Sequence, residues 1–240
     1  MKDLCLLNSK YKYSERTFHF VWYVYKRKKH KLIVTMLKPL LDKLNTMRVI
    51  LASSSPQRKL ILESTSLQFE VHSSNFEENL RPEDYTFSEF VEETALGKVA
   101  DVYERLKGDT RKPDIIIGVD TMVTLDGRMY GKPQTREEAI ETITKLTSAG
   151  IPNVVYTGVV IKYRENIEKF TAVTTVYMGK LTKEEIIAYV DTGEPMGKAG
   201  GYGIQGIAST FVERIEGDFN NVIGLPLYQL TQKLKEIVNR

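Results

Sequence analysis

The sequence predicts an α/β protein with a mixed β-sheet and flanking helices, and three observations carry that reading. Short apolar strand-like runs alternate with segments of helical period from residue 48 to the C-terminus. Short turns join several of the strands, giving three expected hairpins that a strictly parallel sheet would lack. No internal repeat or Pro/Gly/Ser-rich linker interrupts residues 47–240. That span therefore reads as one domain, preceded by a basic N-terminal extension over 1–46 that is expected to be poorly ordered.

Taken in order, Arg48-Val-Ile-Leu-Ala52 is an apolar strand that stops at Ser53-Ser-Ser-Pro56, where a proline just after a serine starts a helix. A second strand lies near Phe69 to His72. The next helix runs from about Ser88 to Leu106, with Phe87, Val91, Ala95, Val99, Val102 and Leu106 on one stripe. Asp114 to Leu125 forms a long strand turned by Asp126-Gly127, a strong hairpin pair. Thr135-Arg-Glu-Glu138 and Thr182-Lys-Glu-Glu185 are capping boxes opening helices that end at Gly150 and near Gly193. Between them Val154 to Tyr163 and Ile167 to Tyr177 form a hairpin. Phe211 to Glu216 and Val222 to Leu225 are two last short strands, before a C-terminal helix from about Leu227.

The chain is 42% hydrophobic and 27% charged, which suits a globular protein and argues against disorder, collagen or a membrane bundle. The lone Cys5 cannot make an internal disulfide, so an intracellular, cytoplasmic address is expected. The formal charge of +3 hides an asymmetry. Residues 1–46 hold eleven Lys or Arg against three acids, a balance of +8, which leaves the remainder at −5. A nucleic-acid partner is not expected of such a mildly acidic body. The apolar run Phe18 to Tyr25 is too short to span a bilayer, and charge rather than a cleavage site follows it. The basic run Lys26 to Lys31 leaves a nuclear or lipid-directed address open, beside a leader with no fold role or an upstream start ahead of Met36 or Met47.

Two charged residues interrupt apolar patterns. Asp120 breaks the strand Ile115 to Val123, and an unpaired buried carboxylate costs several kcal/mol, so it is either a strand-edge acid meeting solvent or a general base. Lys98 falls inside the helical stripe, where lysine either snorkels outward or aims its ammonium at phosphate in a cleft. Lys132 and Lys198 each follow a glycine in a loop, where a cation can approach a ligand closely or simply be solvated. Ser53, Ser54 and Ser55 put hydroxyls and N–H groups at a helix N-terminus, an anion site compatible with capping by Ser55, with Arg58 one turn inside. Gly201-Tyr-Gly-Ile-Gln-Gly206 matches G-x-G-x-x-G in letters, but a loop and not a strand precedes it. It reads as a glycine-rich binding loop presenting Gln205 rather than a dinucleotide site. No P-loop occurs, and three scattered histidines with one cysteine make no zinc set.

The same segments, in this order, resemble the Maf family of nucleotide pyrophosphatases over essentially all of residues 48–240. The residues that carry the resemblance are Leu51-Ala-Ser-Ser-Ser-Pro56 with Arg58, Phe76-Glu-Glu78, Lys98, Gly118-Val-Asp-Thr121, Gly131-Lys-Pro133, Lys198 to Gln205, and Gly217-Asp-Phe-Asn220 before Val222 to Pro226. The likeness extends to the Maf-like domain that animals also carry fused to a methyltransferase-like domain. It implies an inosine triphosphate pyrophosphatase-like fold with a cleft between two lobes, commonly a homodimer. It also implies hydrolysis of a nucleoside triphosphate to the monophosphate and pyrophosphate with a divalent cation (Mg²⁺, Mn²⁺ or Co²⁺), as a house-cleaning activity on the nucleotide pool.

By position, the resemblance makes Asp120 the base that activates water and Glu78 a carboxylate near the metal. Ser53, Arg58, Lys98, Lys132 and Lys198 become the phosphate grip, with Ser55 and Gln57 beside them as substrate-binding residues. Thr121 and Gln205 fall where members acting on dTTP and UTP keep Thr and Gln for the base, so the resemblance implies the pyrimidine subclass, with dTTP and UTP as substrates. This chain departs from the group's Ser-Pro-Arg-Arg by reading Ser55-Pro56-Gln57-Arg58, which leaves the choice of base, modified nucleotides included, open. The other reading from the same resemblance is a nucleotide-binding regulator of cell division that does not hydrolyse its ligand.

Overall fold

The computed structural model describes residues 37–239. Cys5, the apolar run 18–25, the basic run 26–31 and the start candidate Met36 lie outside the described residues. Helix α1 (residues 37–44) falls within the stretch read as an extension, yet Leu40, Leu41 and Leu44 are buried in the main core. Seven strands and six further helices follow: β1 (Val49–Ala52), α2 (Pro56–Glu63), β2 (Glu70–Val71), α3 (Phe87–Leu106), β3 (Ile115–Leu125), β4 (Arg128–Tyr130), α4 (Arg136–Ser148), β5 (Asn153–Tyr163), β6 (Asn166–Met178), α5 (Lys183–Asp191), β7 (Val212–Glu216), α6 (Phe219–Ile223) and α7 (Leu227–Val238).

The strands form one mixed sheet in the order β2-β1-β3-β5-β6-β7, with β4 pairing the far end of β3. The β1 pairings with β2 and β3 are parallel and the rest are antiparallel. The Asp126-Gly127 turn joins β3 to β4 with both residues at positive φ, as the primed turn that suits strand twist requires. Only two of the three expected hairpins exist. The segment expected to be a last strand, Val222 to Leu225, belongs instead to helix α6 and its Gly224 cap. Asp218 caps α6 by accepting from the Asn220 N–H, and Gly224 at φ 120° ends it. A four-residue apolar run cannot by itself distinguish strand from helix, and here the flanking caps decide.

The Thr182 capping box is complete, and a second one at Thr86 starts α3. Thr135 caps α4 through the Glu138 N–H, but the Glu138 carboxylate reaches back to the Gln134 N–H at 2.8 Å rather than to Thr135. The expected reciprocal box at Thr135 is therefore half formed.

Side-chain alternation along β3 sends the two faces of the sheet to different partners. Ile115, Ile117 and Val119 join α1, α2 and α7 in the largest apolar cluster, while Ile116 packs with Ala95, Val99, Val102 and Leu106 of α3. A third cluster beyond Val123 unites β5, β6, α4 and α5 as the second lobe. Two glycines let α3 lie directly on the sheet. A Cβ on Gly118 would stand 2.5 Å from the Ala95 carbonyl oxygen, and one on Gly158 would stand 2.5 Å from the Val91 carbonyl carbon. Glycine within a strand here marks a close backbone approach.

The topology opens a gap beside β3. On the edge opposite β5, β1 pairs only as far as Gly118, and β4 pairs only from Val123. Residues 119–122 have no neighbouring strand on that side, between the two lobes.

Candidate active site

A cleft of about 360 Å³ opens at this gap, and all eleven residues singled out in the sequence line it. Alternation along β3 sorts them. Asp120 has the parity of Ile116 and faces α3. Thr121 has the parity of Val119 and faces α2. One strand thus presents a carboxylate to one wall and a hydroxyl to the other.

On the α3 wall, Lys98 is only 9% exposed, so it does not snorkel free of the stripe. Its Nζ donates to Asp120 Oδ1 at 2.7 Å and pairs with Glu78 Oε1 at 2.7 Å. A nearly buried ammonium needs such partners, since leaving it unpaired would cost several kcal/mol. Glu78 arrives on the loop before α3, which Phe76 anchors against the helix backbone. A Cβ on Gly97 would meet the Phe76 ring at 2.5 Å. Burial pushes the Glu78 carboxyl up, but its hydrogen bond to Lys98 and the charges of Lys98, Lys132 and Arg58 outweigh that and hold it below the usual range. Lys132 itself is exposed at the mouth, where Gln134 Nε2 donates to its carbonyl at 2.8 Å.

On the α2 wall, Ser55 is the N-cap, accepting from the Arg58 N–H, and its hydroxyl donates to Gln57 Oε1 at 3.2 Å. Ser53 is buried, and its Oγ accepts from the Ser55 N–H at 3.2 Å. Arg58 donates through Nε to the Gly224 carbonyl at 2.9 Å and through its two terminal nitrogens to Ser53 Oγ at 3.2 Å and Thr121 Oγ1 at 2.9 Å. Burial pushes this guanidinium down, and the carboxylates of Asp120 and Glu78 act in the opposite sense. A guanidinium stays protonated all the same.

Behind Thr121 lies a residue with no local sequence signal. Thr157 is fully buried on β5, opposite Thr121, and its hydroxyl sits 3.0 Å from Thr121 Oγ1 while donating to the Asn221 carbonyl at 3.2 Å. Such support is set by strand register, which a single sequence does not print.

The third wall is the loop that carries the G-x-G-x-x-G letters. It is irregular apart from 3-10 turns at Ala199–Gly201 and Ile207–Thr210, and no strand precedes it. Lys198 Nζ donates to the Glu194 carbonyl, and Gln205 is exposed to the cleft. Gly200 N–H donates to the Gly131 carbonyl at 2.9 Å, which ties this loop to the one bearing Lys132.

The cleft therefore gathers four cationic side chains, a serine-lined helix start and two carboxylates around one opening. That arrangement suits a polyanion whose charge must be met at several points. Among the described residues no group of three His, Cys, Asp or Glu is placed to hold a metal ion by itself. Nor is any helix among them long and apolar enough to cross a membrane.

The family model described as "Maf-like protein" matches residues 48–237. A dTTP/UTP pyrophosphatase of Clostridium botulinum (strain Alaska E43 / Type E3) is 41% identical over 194 residues, covering 80% of this chain and all of that protein. A dTTP/UTP pyrophosphatase of Alkaliphilus oremlandii is 44% identical over 184 residues, 76% of this chain and 92% of that protein. A Homo sapiens protein named "Probable bifunctional dTTP/UTP pyrophosphatase/methyltransferase protein" is 38% identical over 212 residues, which cover 84% of this chain and 34% of its own length. Among solved structures, the Staphylococcus aureus Ham1 protein covers 79% of this chain and 99% of its own, at 12% identity and a TM-score of 0.47.

Proposed function

This chain belongs to the Maf family, and from that membership we propose that it hydrolyses nucleoside triphosphates, dTTP and UTP first among them, to the monophosphate and pyrophosphate. The observation that carries the reading onto these residues is the Asp120–Lys98–Glu78 triplet, a nearly buried ammonium shared between a half-buried and an exposed carboxylate, in a cleft that also holds Arg58, Lys132 and Lys198. A triphosphate brings about four negative charges into the cleft, and attack at its α-phosphorus adds charge to the departing pyrophosphate. Arg58, Lys132 and Lys198, with the Ser53 hydroxyl, grip the phosphates, and removing one such contact costs roughly 10²–10³ in rate. Asp120 accepts the proton of the attacking water, and the 2.7 Å hydrogen bond from Lys98 keeps that carboxylate aimed.

A divalent cation, Mg²⁺, Mn²⁺ or Co²⁺, fits the donor set. Glu78 and Asp120, whose carboxylates share one ammonium at 2.7 Å, are hard oxygen donors that would hold such an ion together with phosphate oxygens of the substrate. When bound, the ion supplies positive charge at the phosphates and polarises water. Thr121 and Gln205 are assigned to the base, with Ser55 and Gln57 on the substrate side of the α2 turn. Gln57 is a neutral amide where relatives of the dTTP/UTP group read arginine, so modified triphosphates such as 7-methyl-GTP belong in any substrate screen.

Family membership also supports a homodimer and a cytoplasmic house-cleaning role, with nuclear entry through the basic run 26–31 as the variant to test by deletion. A regulator that binds without turnover is not favoured, because the relatives are named as pyrophosphatases and Asp120 and Lys98 are both in place. Purified protein should release pyrophosphate and monophosphate from UTP or dTTP in a metal-dependent way, and Asp120→Asn should abolish it. Inertness towards a full triphosphate panel would remove the proposal.

A further inference from the structure

Gly203 and Gly206 of the Gly201-Tyr-Gly-Ile-Gln-Gly206 segment border one carboxylate that no family motif used above includes. Glu194 follows α5, and its side chain turns inward. Oε2 accepts from the Ile207 N–H at 2.7 Å, and Oε1 accepts from the Ala208 N–H at 3.0 Å and from the Tyr189 hydroxyl at 3.2 Å. A carboxylate on two successive N–H groups of a 3-10 start is a charge-assisted clamp, stronger than neutral hydrogen bonds. The same residue's carbonyl accepts from Lys198 Nζ. Glu194 thus binds both ends of the segment that carries Lys198 and Gln205 into the cleft.

The glycines are fitted to this clamp. A Cβ on Gly206 would stand 2.6 Å from Glu194 Cδ, overlapping the carboxylate, and one on Gly203 would stand 2.9 Å from Lys198 Cε. Gly206 lies at φ −106°, outside the left-handed region, and an added Cβ there would run into the Glu194 carboxylate. The letters that resemble a dinucleotide motif leave room for Glu194 and for the flat stem of Lys198.

We propose that Glu194 is a positioning residue: by closing the loop from 194 to 208 it fixes where Lys198, and with it Gln205, stands in the cleft. The carboxylate touches no reacting group. It acts through Lys198, and the inference rests on the reading of the cleft as a triphosphate site.

The test is a double-mutant cycle on UTP or dTTP hydrolysis, run with thermal midpoints. Glu194→Gln keeps the size but turns an amide N–H towards a backbone N–H, and kcat/KM, measured well below the variant's thermal midpoint, should fall about tenfold while that midpoint drops by about 3–12 °C, since about one charge-assisted hydrogen bond is lost. In a Lys198→Ala background the same change should cost less than about twofold, because residues acting as one unit are non-additive. Gly206→Ala, which displaces the carboxylate and keeps its charge, should reproduce both results and stands in if Glu194→Gln does not fold. An unchanged kcat/KM in either single variant, or equal losses with and without Lys198, overturns the proposal. An inactive parent protein would instead overturn the triphosphate reading itself.

Discussion

Substituting alanine for Gly158 asks whether the close seat of α3 on the sheet sets the catalytic geometry. The added Cβ would stand 2.5 Å from the Val91 carbonyl carbon, 2.6 Å from its oxygen and 2.7 Å from the Glu92 nitrogen, where ordinary contact begins at 3.4 Å. All three atoms are backbone, so no side chain can swing aside, and the helix must retreat by about 0.9 Å to regain normal contact. Asp120 is the direct β-partner of Gly158, and Lys98 lies two turns further along α3 from Val91. The retreat therefore opens the 2.7 Å Lys98–Asp120 bond. A misplacement near 1 Å costs roughly 10² in rate, and overpacking of this kind costs about 1–3 kcal/mol, or about 2–4 °C in thermal midpoint per kcal/mol for a domain of this size. Steady-state pyrophosphate release from UTP, measured well below the variant's midpoint, reads the first effect and calorimetry reads the second. Gly108→Ala is the control, since nothing lies within 4 Å of its Cβ. A folded Gly158→Ala protein with the parent's kcat/KM would refute the reasoning.

Three further outcomes are expected. Lys98→Met leaves Asp120 and Glu78 facing each other without their cation, so turnover should drop by roughly 10²–10³ in a steady-state assay. Thr157→Val removes a buried hydroxyl from between Thr121 and the Asn221 carbonyl, and denaturant titration should show a loss of about 1–3 kcal/mol, with Thr157→Ser close to the parent. Glu70, hydrogen-bonded to Arg48 at 2.9 and 3.0 Å, is held at about 2 against an ordinary 4.5. Because the folded state depresses this carboxyl, its contribution is fully present above 4.5 and is lost as pH falls towards 2. Glu70→Gln should accordingly flatten the pH dependence of the unfolding midpoint across that window.

Much of the architecture was legible because periodicity and caps agreed. The α3 stripe, the Ser55 cap, the Asp126-Gly127 turn and the long β5–β6 hairpin all follow from local patterns, and Lys98 stood out because it broke one of them. Val222 to Leu225 was misread because four apolar residues carry no period, although Asp218 and Gly224 bracket a helix. The leucines of α1 gave little sign in a strongly basic stretch, and they bury by joining Leu62 and Leu67 as well as Leu230 and Leu234 of α7, distant in sequence. Within the cleft, Thr157 and Glu194 were missed for a shared reason. One acts through strand register and the other by closing a loop onto residues 13 and 14 positions away, so neither leaves a local mark. Gly118 and Gly158 did leave one, as glycines in otherwise β-branched strands.

In the proposed reaction, water attacks the α-phosphorus under the direction of Asp120. Hydrolysis of UTP in ¹⁸O-enriched water, with products separated and weighed by mass spectrometry, reads the atom attacked. The label should enter the monophosphate and leave pyrophosphate unlabelled, and Asp120→Asn should form no labelled monophosphate. Label in pyrophosphate, release of orthophosphate, or undiminished turnover by the Asp120→Asn protein would rule out Asp120-directed attack at the α-phosphorus.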